Sequence, residues 1–469
     1  MSMWGTLQSW LTVAGLAGGN KDSPDARSPI VLSWQADLDL VRTIYGGWRA
    51  LYEQRSSFLP QHPKEDNQDY LIRARRPTFY NAFGRTVRAL AGAPFAQEPT
   101  FEGVSAEIKT LYDDDIDNEG TSGNAFVRHT FQDALITGFA GILVDMPVLV
   151  VPEGREPNRA DELEAGLRPF WTLIPTDDIV SFRPVVENGK VLLAQLAICQ
   201  KRQVPWGKYG VKIIEQLRVF RRLPAIPGAT TEAAILWEVY ERDAGKAKWV
   251  SVADGQLPAV TEIPLAQIYT ERRGFMDASP PLLDLANVNL LHYQMWSDLA
   301  HAAHIANVPF LFGGGFASEE LQIGPNRAVI IPAAKPEEAW LQWIETTGAS
   351  IGSTRAILAD LEEQMAHLGL GMLQRKSRAA ETAEKATLDR KDQESTLGAA
   401  VSDLENGLEQ ALFYTAQYLG LESGGKITFA REFDVEPVAS DRTPNQGAKD
   451  SPHDPKRPGE TNNPRTTGA

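Results

Sequence analysis

The sequence predicts an α+β fold, with helical regions in both halves of the chain and a block of β-strands between them. Two observations predict it. Apolar residues recur at three- and four-residue steps in residues 33–138 and again from residue 281, whereas in residues 141–273 the period changes to two. The chain has 469 residues, of which 43% are hydrophobic and 23% charged, as in ordinary globular proteins. We therefore exclude a disordered or fibrous chain and expect more than one folded part.

The first helical region contains the densest basic stretch of the front half of the chain. A helix from Ser33 is interrupted at Pro60 and Pro63, a second helical region follows at 69–90, and a third helix is expected at 121–138. The second region contains Arg73, Arg75, Arg76, Arg85 and Arg88. Such a basic face is either a solvated or ion-paired surface or a contact surface for a partner or nucleic acid.

The β-rich block, residues 141–273, is predicted from short apolar runs bounded by turn residues. The runs include 191–198, 217–220 and 235–240, and Asn188 with Gly189 marks a turn. A wholly helical scaffolding protein would not contain such a block.

Two further helices are predicted in the second half, with a short β-containing segment between them. Pro280 and Pro281 precede an apolar period that continues to residue 306. Short apolar runs around 310–312 and 328–331 then flank a glycine turn. The helix at 349–368 has an apolar seam along one face, which we expect to need a partner surface, and its residues are Ile351, Leu358, Leu361, Met365 and Leu368.

Glycines 369 and 371 are expected to end this second helix. A long helix without proline should follow and continue to about residue 420, with an apolar stripe that needs neighbours. Residues 440–469, which lack large apolar side chains, are predicted to be a disordered tail.

Several short patterns are compatible with catalysis or metal binding, but each has a simpler interpretation. His301 and His304 have a spacing that suits a shared metal, yet the general base of an HExxH motif is absent. Ser350 lies in a GxSxG pattern without a well-placed base, so capping of a helix is the simpler role. The glycine-rich run 420–426 lacks the hydroxyl residue of a phosphate loop and suits a helix-ending turn. We expect no catalytic residue, metal or cofactor.

The charge balance limits the partners that the chain can have. Acidic residues outnumber basic ones by 61 to 46, a formal charge of −15, so nucleic acid should be contacted locally or weakly. The apolar run 142–151 contains Asp145 and Pro147 and is too short for a membrane helix, so we expect no membrane partner. Cys199 is the sole cysteine, which excludes an internal disulfide.

Three stretches, in this order, resemble a portal-like family of tailed-bacteriophage portal proteins, known mainly as a domain of unknown function in phage head operons. Residues 70–95 resemble its front helices and the Gly-x-x-Phe turn that follows them. Residues 279–293, the most specific stretch, are similar to the helix that opens the portal stem. Residues 372–420 resemble the loop and long helix that border the channel.

The resemblance implies a ring of about twelve subunits at one capsid vertex. Each subunit would have a helical and β-rich wing, a two-helix stem and a small β-containing clip. The implied divisions are an N-terminal arm (1–29), the wing (30–278, with helices in 33–138 and strands in 141–273), the first stem helix (279–306), the clip (307–346), the second stem helix (349–368), a tunnel loop (369–378), a long wing helix (379–420), a short crown segment (421–439) and the disordered tail (440–469).

The resemblance also implies roles for three sets of residues. In the tunnel loop, Arg375, Lys376 and Arg378 would contact DNA in the channel, unless they pair with the acidic residues one turn further on. The seam at 351–368 would belong to the stem and the ring interface. In the clip, an aromatic set would either dock partners or form a small core, and its members are Phe310, Phe312, Trp340 and Trp343.

The implied function is a conduit for packaging and ejection of double-stranded DNA. Its partners would be further copies of the chain, the terminase large subunit, a head–tail adaptor, and the major capsid and scaffolding proteins. The protein would reside in the virion, and in the host cytoplasm during assembly. Two other classes stay open: a head-maturation enzyme such as a nuclease or protease, and a scaffold or binding module that forms no ring.

Overall fold

Helices and antiparallel sheets both contribute to the part of the protein that this computed structural model describes, residues 23–76, 78–147, 167–223, 234–243, 248–257, 259–306, 310–314, 328–331, 340–344, 349–371 and 396–431. The α-helices in these residues are α1 (Pro29–Glu53), α2 (Arg55–Phe58), α3 (Asn67–Arg75), α4 (Ala82–Gly92), α5 (Ala106–Asp114), α6 (Gly123–Thr137), α7 (Leu283–Ala306), α8 (Ala349–Gly371) and α9 (Thr396–Leu419). Short 3-10 helices lie at Ala93–Phe95 and Thr176–Asp178.

The strands confirm the mixed α and β class predicted from the sequence. They are β1 (Thr100–Glu102), β2 (Phe139–Asp145), β3 (Phe170–Pro175), β4 (Ile179–Glu187), β5 (Lys190–Trp206), β6 (Gly210–Leu223), β7 (Ala234–Asp243), β8 (Val250–Leu257), β9 (Leu265–Tyr269), β10 (Arg272–Gly274), β11 (Asp277–Ala278), β12 (Phe310–Gly314), β13 (Ala328–Ile331), β14 (Trp340–Ile344) and β15 (Lys426–Thr428). Strands β4 to β8 form an antiparallel sheet in chain order. Two smaller sheets have the orders β3-β2-β9 and β13-β12-β14, and β1 pairs with β15 and β10 with β11.

A central core joins α9 to the sheet β3-β2-β9. Gly407 of α9 lies so close to β9 that an added Cβ would be 2.7 Å from the Ile268 side chain. On β3, the buried Trp171 donates from Nε1 to Thr415 Oγ1 at 2.9 Å. The apolar stripe predicted on this helix is therefore covered within the same chain, at least from residue 396 onward.

The front helices attach to this core through α1. Pro29 is the first residue of α1, where its fixed φ suits a helix start and its missing amide hydrogen costs nothing. Gly47 has a φ of +76°, which kinks the helix. Arg42 forms ion pairs at 2.5 Å with Asp133 of α6 and with Asp177 beside β4. These pairs hold α1 against both a helix and the start of the five-stranded sheet.

Two predicted boundaries need correction. The first helix begins at Pro29, where the sequence analysis placed the end of an N-terminal arm. The second stem helix continues to Gly371, so residues 369–371 belong to α8 and not to a tunnel loop. The physical reason is that Gly369 permits a close contact: a Cβ there would lie 2.8 Å from Thr86 Oγ1 of α4. Helix α5, which Ser105 caps by accepting from the Ile108 amide at 3.2 Å, was not predicted.

Several predicted segments lie partly or wholly outside the described residues. They are the first part of the N-terminal arm (1–22), parts of the wing (148–166, 224–233 and 244–247), most of the clip (307–309, 315–327, 332–339 and 345–346), the rest of the tunnel loop with the start of the long helix (372–395), and most of the crown segment with the tail (432–469).

Candidate functional site

The candidate site is the antiparallel pair α7 and α8 with the sheet that connects them. Phe310, close after the end of α7, pairs with Ile344, close before the start of α8, so α7 ends and α8 begins at the same end of the sheet. At about 1.5 Å per residue, each helix is roughly 35 Å long. The sequence analysis expected this helix pair as a stem and the sheet as a clip, and those roles stay a prediction.

The base of α7 is fixed in the front helices by a buried amide. Asn289 is fully buried, and its Oδ1 accepts from the Phe83 amide at 3.0 Å. Its Nδ2 donates to the Tyr80 carbonyl oxygen at 2.8 Å. Because both ends of the side chain are paired, Asn289 sets the position of α7 relative to the start of α4.

A buried arginine makes a second connection to α7. Arg73 of α3 is 1% exposed and donates to both carboxylate oxygens of Glu65, at 2.7 and 2.9 Å. It also contacts Asp298 of α7 at 3.3 Å and the Pro60 carbonyl oxygen at 2.9 Å. The hydrogen bond from Arg73 lowers the pKa of Glu65 to about 2. The pair therefore stays ionised throughout the physiological pH range.

A buried histidine lies between α7 and α8. The ring of His292, a residue of α7, stacks on Trp296 with centroids 6.2 Å apart, and the Tyr80 ring centroid lies 5.8 Å away. Its Nε2 lies 3.3 Å from Oε1 of Glu362 on α8. Sequence analysis did not single out His292, because a lone histidine on an apolar helix face carries no distinguishing signal.

The apolar seam of α8 is largely covered within the chain. Leu358, Leu361 and Met365 are at most 6% exposed, and α8 contacts α7 and α4. Ile351 is half-buried, and Leu368 remains 36% exposed. This corrects the expectation that neighbouring subunits must bury the seam. As ring-interface residues, these five stay a prediction.

Three apolar side chains of the helix pair are exposed. Ile357 and Leu368 of α8 lie eleven residues apart, about three turns, and are 46% and 36% exposed. Leu291 of α7 is 45% exposed. The sequence pattern alone did not show that Ile357 is exposed while its neighbour Leu358 in the seam is buried. These three side chains are exposed in the described part of the chain, whereas Leu358 and Leu361 are covered.

The small sheet divides the four clip aromatics between its two faces. Strand β12 pairs in parallel with β13 and antiparallel with β14. The register sets Phe312 opposite Gln342 and Trp340 opposite Gly314, which places Phe310, Phe312 and Trp340 at positions of one face. Trp343, opposite Leu311, occupies a position of the other face. The four positions are therefore divided between the two faces of the sheet, and their docking role stays a prediction.

The third predicted set lies outside the described residues. Arg375, Lys376 and Arg378 follow directly after the described end of α8 at Gly371. Their role stays a prediction.

The arginines of the front helices have two different environments. Arg73 is buried and ion-paired, as described above. Arg75 donates from Nε to the Tyr52 hydroxyl at 2.8 Å, Arg85 lies 5.2 Å from the Tyr80 ring centroid, and Arg88 lies 6.0 Å from that of Tyr45. These three side chains are exposed. The basic stretch therefore contains one buried arginine with a structural role, Arg73, and three exposed arginines that lie against aromatic rings.

The patterns considered for catalysis are resolved in part. Gly420 has a φ of +71°, and the Leu421 amide donates to the Ala416 carbonyl oxygen at 2.8 Å, a helix-ending turn as expected. Ser350 is the second residue of α8, inside the helix and not at its cap. Within the described residues, no group of three His, Cys, Asp or Glu side chains is arranged to hold a metal ion. No helix among them is long and apolar enough to cross a membrane.

Comparison with known proteins gave three results. A chain of the virion of a native gene transfer agent particle is 11% identical, with 76% of this chain and 81% of that chain covered and a TM-score of 0.35. A chain of the neck of an empty gene transfer agent particle has the same identity and coverage and a TM-score of 0.33. Scores this low do not establish a common fold, and no curated protein matches. Residues 281–419, which include α7, the small sheet, α8 and α9, match the model of a domain of unknown function, DUF4055.

Proposed function

We propose that this chain is a structural subunit of a bacteriophage particle and, more specifically, a portal protein. In this proposal about twelve copies form a ring at one capsid vertex, and double-stranded DNA passes through its channel during packaging and ejection. The observation that carries the proposal is the helix pair α7 and α8 with its small connecting sheet, followed by the long helix α9. The family match spans the same elements, and the resemblance described above gives them their roles.

The charge of the chain supports a conduit. A ring of subunits that each carry −15 has a strongly acidic surface overall. An acidic channel wall repels the phosphate backbone, so DNA can slide without breaking strong contacts at every step. The proposed function is therefore mechanical, with no catalytic role for Ser350 or the histidines of α7.

Each part of the chain receives a role in this proposal. The front helices and the β-rich block form the wing, α7 and α8 the stem, and the small sheet the clip. The clip docks the terminase large subunit during packaging and the head–tail adaptor afterwards. Arg375, Lys376 and Arg378 touch the DNA, and the major capsid and scaffolding proteins surround the ring in the virion.

The exposed flank of α8 offers a test of ring assembly that spares the fold. A charge at Ile357, already 46% exposed in one chain, should leave the subunit folded. If this flank contacts the next subunit, Ile357→Glu places an unpaired charge in that contact and should prevent ring formation. Native mass spectrometry would then detect single chains in place of rings.

Ala359→Glu is the matched control, because Ala359 is exposed and lies about 200° round the same helix from Ile357. We expect this variant to form rings normally. Rings of normal size from Ile357→Glu would contradict the assignment of this flank to the subunit contact.

A further inference from the structure

The hairpin formed by β5 and β6 extends beyond the rest of its sheet. Strand β4 pairs with β5 only up to Ile198, and β7 pairs with β6 only from Ile214 onward. The hairpin itself continues to the pair Trp206 and Gly210. From the pair Gln203 and Ile213 to the pair Trp206 and Gly210, about 10 Å of hairpin has no neighbouring strand among the described residues. We call residues 199–213 the hairpin tip.

The hairpin tip exposes apolar side chains to an unusual degree. Trp206 is 63% exposed, Tyr209 87%, Val211 68% and Ile213 50%. The register places Val211 and Ile213 on one face of the hairpin and Trp206 on the other, so both faces are apolar in part. An isolated two-stranded hairpin is only marginally stable in water, and exposed aromatic and aliphatic residues mark an interaction surface. The tip therefore has the composition of a contact that a second molecule completes.

The hairpin tip is also basic, although the chain as a whole is acidic. It contains Lys201, Arg202, Lys208 and Lys212 and no Asp or Glu. Lys212 lies 5.3 Å from the Trp206 ring centroid and also pairs with Asp243 at 2.6 Å. A surface that is both apolar and positive fits a partner with an apolar, negatively charged groove.

Such a groove lies on one face of the same five-stranded sheet. It has a volume of about 640 Å³ and is rimmed by Asp117 and Glu119, with Asp145 deeper, where it pairs with Arg218 at 2.5 Å. Its apolar lining consists of Met146, Phe170, Trp237, Val239, Val252 and Leu257. Arg202, in the hairpin tip, lines it too, and from there the hairpin continues beyond the groove residues Gln216 and Arg218 of β6.

We propose that the hairpin tip of one copy inserts into this groove of the next copy. Trp206 and Tyr209 contact the apolar lining, and Lys208 lies near Glu119 at the rim. The contact joins two different surfaces, so it repeats head to tail and closes into a ring when the rotation between copies allows. The inference rests on the proposed function, because it names a contact between neighbours in the proposed ring.

Disulfide trapping tests this contact directly. In a Cys199→Ser background, Tyr209→Cys and Glu119→Cys are combined in one chain and oxidised under mild conditions. A head-to-tail contact links each tip to the next groove, so denaturing gels should show a ladder of covalent multimers. The control combines Tyr209→Cys with Glu107→Cys, an exposed position on α5 outside the groove, and should give little cross-linking.

Charge reversal gives a second measurement. Lys208→Glu should weaken association of the copies about tenfold, and Glu119→Lys in the same chain should restore it. Native mass spectrometry is run on every variant in parallel. The hairpin contact would be overturned if rings form but Tyr209→Cys and Glu119→Cys do not cross-link. It would also be overturned if the Glu107→Cys control cross-links equally. Either result would leave the proposed ring intact. Single chains from the unmodified protein would overturn both the hairpin contact and the proposed ring.

Discussion

At the scale of single residues, Arg73 links α3 to α7 through a guanidinium that the fold has buried. Its side chain is 1% exposed and pairs with Glu65, while Asp298 of α7 is 3.3 Å away. A buried ion pair contributes little net stability when it is intact. Removing one partner, however, leaves an uncompensated buried charge, at a cost of about 3 to 5 kcal/mol.

Glu65→Gln should therefore destabilise the protein by about 3 kcal/mol at neutral pH, since Asp298 compensates part of the charge of Arg73. The effect depends on pH in a definite direction. Folding lowers the pKa of Glu65 from 4.5 to about 2, so the stability that its ionised form contributes is fully present above pH 4.5. It is lost as the pH falls from 4.5 towards 2.

The measurement is the free energy of unfolding of both proteins at pH 7 and at about pH 3, where the difference between them should shrink. Glu53→Gln is the matched control, because Glu53 pairs with Arg49 at 3.0 Å on an exposed surface. That change should cost less than about 1 kcal/mol. If Glu65→Gln and Glu53→Gln lowered the free energy of unfolding equally at pH 7, the buried pair would contribute no more than the exposed one, which would contradict this prediction.

At the scale of the elements, the contact between α8 and α4 depends on a glycine. A Cβ at Gly369 would lie 2.8 Å from Thr86 Oγ1, too close for normal packing. Gly369→Ala should therefore destabilise the protein by about 1 to 3 kcal/mol, although alanine favours helices. Thermal unfolding measures this effect, and adding Thr86→Ala should recover part of the loss.

Gly352 provides the comparison within the same helix. Nothing lies within 4 Å of a Cβ built there, so Gly352→Ala should stabilise α8 by about 0.5 to 1 kcal/mol through helix propensity alone. If both glycine variants were stabilised, Gly369 would have no packing role, and its interpretation as a site of close approach would be wrong.

The sequence predicted most helices and the β-rich block, because their apolar periods are long and regular. It could not show whether a glycine ends a helix or permits close packing inside one. Gly369 was interpreted as the end of α8, whereas its role depends on Thr86, a residue of another helix. The sequence likewise could not show that Leu358 and Leu361 are covered by the same chain, since an apolar seam indicates burial but not the identity of the covering surface.

The candidate site was predicted unevenly for the same reason. The clip aromatics were recognised as a group, yet their strand register, which separates Trp343 from Trp340, depends on pairing with residues thirty positions away. Arg73 looked like one member of a basic surface, because nothing local distinguishes a buried arginine from its exposed neighbours. The hairpin tip was also missed, since both of its strands read as ordinary members of a sheet.

At the scale of the whole molecule, the account makes one prediction about DNA. Changing Arg375, Lys376 and Arg378 together to Ser should leave rings intact and alter the retention or packaging rate of DNA, because these would be the basic residues that touch it in an acidic channel. The length of packaged DNA and its leakage from particles are compared with wild type at matched ionic strength. Unchanged values with normal rings would show that the three residues belong to an ordinary helix start.

The central claim is that the chain assembles into a closed ring. Native mass spectrometry of the purified full-length chain tests it most directly, because the mass of the complex gives the number of copies without any assumption about DNA or partners. The account predicts a discrete species at about twelve times the 51.6 kDa of one chain. A spectrum that contains only single chains or dimers at micromolar concentration would contradict it.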